Sequence, residues 1–104
     1  ERNNCSNQKD VKSGGINIDG HSNTIRTNTI ANNDGVAVRL GDSSYNNSVY
    51  GNTFRNNAYG GFQIKNPSQG KVCGNNLSQQ NPRDQWVRGS YHSQFIHKVT
   101  AACP

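Results

Sequence analysis

The chain has 104 residues, a length that fits one domain. Only 30% of them are hydrophobic and 16% are charged, which excludes a thick apolar core, and no apolar run is long enough to cross a membrane. The net charge of +5 favours anionic partners such as acidic polysaccharide, nucleic acid or lipid head groups.

In chain order, the first feature is Asn3-Asn4-Cys5-Ser6-Asn7, which aligns with Asn28-Thr29-Ile30-Ala31-Asn32 and Asn52-Thr53-Phe54-Arg55-Asn56. The match puts Cys5 in an inward apolar column and starts the chain in the middle of a repeat. It predicts a C-terminal piece of a longer repeat protein, whose missing N-terminal segment, or a second copy, would cover the open end.

Three repeats follow. Gly15-Ile16-Asn17-Ile18, Gly35-Val36-Ala37-Val38 and Gly61-Phe62-Gln63-Ile64 each open one, with glycine allowing a bend that larger residues would obstruct. Their alternation of apolar and polar residues predicts short strands. Two further apolar columns, Ile25/Val49/Val72 and Ile30/Phe54/Leu77, recur at spacings of 24 and 23 residues. A fixed period in this range marks a solenoid rather than a globular core. Three strands per turn make an all-β parallel helix of about three to four coils, expected over residues 1–81. Asn28, Asn52 and Asn75 occupy one position of the repeat and predict an amide ladder along the axis.

Residues 82–104 break the pattern and carry Trp86, Tyr91, Phe95 and Ile96, an apolar cluster that reads as a C-terminal cap. Cys73 falls in the outward column of Arg26 and Tyr50, where it can clamp a returning tail. A Cys73–Cys103 disulfide is expected, with Cys5 left over. That pairing implies an oxidising, secreted setting.

The repeat G-Φ-x-Φ (Φ apolar) followed by N-x-Φ-x-x-N-x-Φ-x-N, as in Asn47-Ser48-Val49-Tyr50-Gly51-Asn52-Thr53-Phe54-Arg55-Asn56, resembles the right-handed parallel β-helix superfamily of pectate-lyase-like proteins. The resemblance covers about residues 3–79. It implies a right-handed β-helix and contact with carbohydrate, since polysaccharide lyases, epimerases, hydrolases, tailspikes and adhesins share the fold.

Parity predicts the surface chemistry. Asp19, Arg39 and Lys65 follow the second apolar residue of the opening strand and are expected to stack outward, about 5 Å apart. A uronate carboxylate needs a cation, and lyase chemistry needs a base for the C5 proton. Arg39 and Lys65 are the carboxylate-binding candidates and Lys65 the candidate base. Asn17, Ala37 and Gln63 form the neighbouring expected column, with Asn17 and Gln63 able to bond sugar hydroxyls. Tyr50, between Arg26 and Cys73, can stack on a sugar ring. His21 beside Asp19 offers a His–carboxylate pair, and Asp34 and Asp42 read as turn formers rather than calcium ligands. No metal-ligand spacing, phosphate loop or nucleophile motif is present, so no cofactor is expected and calcium has no support.

The tail residues Arg83, Arg88 and Lys98 lack the regular interleaving with aromatics that single-stranded nucleic acid requires. The expected function is a polysaccharide-contacting segment of a carbohydrate-active enzyme with an acidic glycan substrate. The alternatives are a non-catalytic carbohydrate-binding or adhesin module, and a structural solenoid that assembles through its open edge.

Overall fold

A computed structural model describes residues 15–103. Cys5 and the half-coil expected around it lie outside the described residues. Three strands make each coil: β1 (Ile16–Ile18), β2 (Thr24–Arg26) and β3 (Thr29–Ala31), then β4 (Val36–Leu40), β5 (Ser48–Tyr50) and β6 (Thr53–Arg55), then β7 (Gly60–Ile64), β8 (Val72–Cys73) and β9 (Asn76–Gln79). Each strand pairs in parallel with its counterpart on the next coil. The result is three sheets along one axis, ordered β1-β4-β7-β10, β2-β5-β8 and β3-β6-β9, with β10 (Val87–Arg88) completing the first.

The interior is narrow and apolar. Ile25, Val49 and Val72 stack through their strand register, as do Val38, Phe62 and Val87. The rings of Phe54 and Phe62 meet across the axis with centroids 4.8 Å apart. These residues are nearly all fully buried, so a slim column of side chains suffices to close the solenoid.

Its corners use asparagine in pairs of roles. At seven corners one residue adopts left-handed backbone, and the next is an Asn whose side chain turns into the stack. Thr27, Gly51 and Gly74 have φ of 54°, 68° and 62° and precede Asn28, Asn52 and Asn75. Asn32 and Asn56, at 60° and 55°, precede Asn33 and Asn57, while Ser22 and Asn46, at 58° and 56°, precede Asn23 and Asn47. Asparagine tolerates this conformation better than most residues, which explains the Asn-Asn pairs.

The expected Asn28/Asn52/Asn75 ladder is one of three. Along it, the Asn28 and Asn52 backbone N–H groups donate to Asn52 Oδ1 and Asn75 Oδ1, at 2.9 and 3.0 Å. A second ladder runs Asn33, Asn57, Gln80, with N–H to Oδ1 at 3.3 Å and N–H to Oε1 at 3.1 Å. The third runs Asn23, Asn47, Gln69. Each inner amide also donates to a backbone carbonyl of the coil before it, as Asn52 does to Ile25 and Asn57 to Ile30. The ladders therefore supply partners for corner backbone groups that the strands cannot reach.

One expected register is wrong. Ile16 pairs with Val38, not Val36, and Asn17 pairs with Arg39. There are seven positions from Ile18 to Ile25 but nine from Leu40 to Val49, so the Gly41–Asn47 loop carries two more residues than its first-coil counterpart. Ala37 is a buried core residue, not an outward one, and Gly35, which directly precedes β4, stands two positions ahead of the register of Gly15 and Gly61.

The pattern also extends beyond residue 81. Val87 and Arg88 pair with Phe62 and Gln63 as a fourth strand of the first sheet. The short helix α1 (His92–Phe95) and the following turn then bury Phe95, Ile96 and Val99 against the core. Gly74 and Asn75 N–H groups donate to the Ala101 and Val99 carbonyls at 2.6 and 3.0 Å, and a disulfide joins Cys73 to Cys103. The tail thereby closes the ladder at Asn75, whose Nδ2 donates to Val99 O.

Three stability changes are expected in urea unfolding. Asn57→Ala leaves several buried partners unbonded and lowers stability by about 2–3 kcal/mol, whereas the exposed first rung Asn28→Ala costs less than about 1 kcal/mol. Reduction of Cys73–Cys103, which closes a 30-residue separation, costs about 3–4 kcal/mol through the freed unfolded chain.

Candidate functional site

The outward row of the four-stranded sheet is Asn17, Arg39, Gln63 and Arg88, stacked by strand register. This replaces both expected columns. Asp19, Arg39 and Lys65 do not stack on one another, because the two-residue slip moves Arg39 into the row of Asn17 and Gln63.

The charges nonetheless meet, as pairs. Arg39 Nη1 lies 3.6 Å from Asp19 Oδ1, and Lys65 Nζ lies 3.7 Å from Asp42 Oδ2. Gly41 makes the first pair possible: a Cβ there would sit 2.0 Å from Asp19 Oδ1. Asp42, read from sequence as a turn former, is the partner of Lys65. Arg39 Nε is buried with no hydrogen-bond partner.

Beside these pairs a cleft of about 260 Å³ opens between the third coil and the tail. Gln63 and Lys65 form one wall, with Asp42 at the edge; Gly89, Ser90 and Tyr91 form the other. Gln63 is only 9% exposed, but its amide atoms reach solvent at the cleft and bond to no other described residue. An amide so placed bonds to water or to a ligand. Gly89, at φ +104°, leaves it room: a Cβ there would meet Gln63 Nε2 at 2.7 Å. Arg88 turns away, its Nε donating to the Tyr59 carbonyl and its guanidinium lying 5.1 Å from the Tyr59 ring centroid.

The other sequence candidates lie elsewhere. Tyr50 stands between Arg26 and Cys73 on the second sheet, as its column predicts, and does not reach the cleft. His21 does not pair with Asp19. Its ring stacks on Tyr45 with centroids 4.7 Å apart and it bonds to the Ser22 hydroxyl. His97 faces Arg83 at 3.3 Å. No group of three potential metal ligands occurs among the described residues, and no described helix is long and apolar enough to cross a membrane.

Sequence reasoning missed Ser90, Tyr91 and Gly89 as cleft residues. The available signal was Val87-Arg88, an apolar–cationic pair that repeats the Val38-Arg39 step of the first sheet.

A family model described as the right-handed β-helix region matches residues 1–97. No curated protein and no solved structure matches the chain significantly.

The Lys65–Asp42 pair is largely exposed on its acidic side, 76% for Asp42, and such pairs stabilise weakly. Asp42→Asn is therefore expected to shift the unfolding free energy by less than about 1 kcal/mol, measured by urea titration, while adding one net positive charge at the cleft edge.

Proposed function

Because the chain belongs to the right-handed β-helix family, we propose that it contacts polysaccharide, and that the cleft at Gln63 seats one unit of an acidic glycan. The reading is carried by the Gln63 amide, open at the cleft wall and without a protein partner among the described residues. A sugar hydroxyl offers the donor and acceptor that such an amide lacks. Tyr91 provides an aromatic surface for a sugar ring, Ser90 a further hydroxyl, and Lys65 a cation for a uronate carboxylate. Asp42 is an exposed competitor for that cation, which a uronate can replace at small cost.

Binding without turnover is the form that this geometry supports best. Proton abstraction next to a uronate needs a cation on the carboxylate and a separate neutral base within hydrogen-bond reach. Arg39 and Lys65 are each engaged by an aspartate, and no other basic side chain lines the cleft. The module is proposed to be secreted, as its disulfide suits an oxidising compartment.

Calorimetric titration with oligogalacturonate tests the reading. Gln63→Ala and Tyr91→Ala are each expected to weaken binding about tenfold, the loss of one well-placed polar or aromatic contact. Wild-type affinity in both variants would refute the cleft assignment. Absorbance at the wavelength of new carbon–carbon double bonds is expected to stay flat with polygalacturonate.

A further inference from the structure

The second sheet, β2-β5-β8, carries a different charge pattern from the first. Its outward rows are Thr24/Ser48 and Arg26/Tyr50/Cys73, and Lys71 enters just before β8. No carboxylate stands in these rows. Arg26 and Lys71 are exposed, and so is Lys98 on the tail. None of the three takes part in an ion pair among the described residues. Arg39 and Lys65 on the first face are each paired with an aspartate; these three are not.

Lys71 and Lys98 also both line a second cleft of about 250 Å³, together with Val72, Cys73, Ala101 and Ala102. The disulfide holds this cleft together by tying the tail to β8. Lys98 is supported by Phe95, its Nζ lying 5.7 Å from the ring centroid. Coils stack about 4.8 Å apart, so Arg26 on the first coil and this cleft on the third are separated by about 10 Å along the axis. An extended polyanion can meet both, whereas a single small anion cannot.

We infer that the β2-β5-β8 face is a second anion-binding surface, that its partner is a carboxylated or sulfated polysaccharide strand, and that one chain bridges two glycan strands. The occupant rests on the glycan reading above, and the surface itself does not. Charge complementarity selects an anion. The shallow apolar lining beside two ammonium groups suits the C–H face of a sugar ring flanked by its acidic substituents. Single-stranded nucleic acid would require successive stacking aromatics, and this face has Tyr50 alone. An anionic membrane would require protruding apolar side chains to insert. Among the described residues the exposed large hydrophobic is Tyr45, which lies in the loop before β5 and not on this sheet.

The test uses beads carrying polygalacturonate and a soluble, labelled polygalacturonate of the same type. The parent chain is expected to capture label onto the beads. Arg26→Ala/Lys71→Ala/Lys98→Ala should abolish that capture and weaken binding to the beads about tenfold at low salt, with the loss shrinking as salt is raised. Lys71→Arg/Lys98→Arg should retain both. Dextran sulfate in place of the soluble strand shows whether sulfate serves as well as carboxylate, and either anion supports the inference. Capture unchanged in the triple variant would overturn it. So would tighter retention of single-stranded DNA or of phosphatidylglycerol vesicles than of polygalacturonate. If Tyr91→Ala binds normally while the triple variant loses binding, the first cleft reading and the bridging both fail, and only the anion-binding surface stands.

Discussion

Every coil of this chain must turn three sharp corners, and each corner leaves backbone groups that neither strand can satisfy. The stacked amides resolve that constraint. At most corners one residue bends the chain through left-handed backbone and the next, an Asn, points its side chain along the axis to bond neighbouring coils. The apolar column is too slim to hold the shape unaided, with just 30% of the chain hydrophobic. Burial and amide bonding therefore share the task, the first fixing which face of each strand turns inward and the second fixing where each coil sits above its neighbour.

The same arrangement decides what the surface can do. Parallel stacking converts residues two dozen apart in sequence into neighbours, so an outward row is a chemical ladder. The first sheet places Asn17, Arg39, Gln63 and Arg88 in such a row, then softens its charge with Asp19 and Asp42. The tail adds Tyr91 and Ser90 opposite Gln63 and turns a flat sheet into a cleft. Beside the second sheet, Arg26, Lys71 and Lys98 form no ion pair among the described residues. Two faces of one small solenoid thus differ in how much positive charge they leave for a ligand.

Much of this was legible in the sequence. The spacing of Ile25, Val49 and Val72 announces the parallel stack, and Asn28, Asn52 and Asn75 announce one ladder. The other two ladders were hidden because their last rungs are Gln80 and Gln69, where a longer side chain does the work of asparagine. The surface rows failed for a definite reason. A slip of two residues preserves inward and outward alternation, so Val36-Ala37-Val38 and Val38-Arg39-Leu40 both look like acceptable partners for Ile16-Asn17-Ile18. Only the longer Gly41–Asn47 loop distinguishes them. The cleft was harder still, since it depends on Gly89 and Tyr91 returning to a strand whose sequence, Val87-Arg88, is too short to show a period.

The most direct test of the account is a set of NMR nuclear Overhauser contacts between backbone protons of successive coils. The account predicts parallel-strand contacts linking Ile16 to Val38, Val38 to Phe62 and Val49 to Val72, with Arg39 beside Gln63. Contacts joining Ile16 to Val36, or antiparallel pairing between neighbouring segments such as β2 and β3, would contradict it.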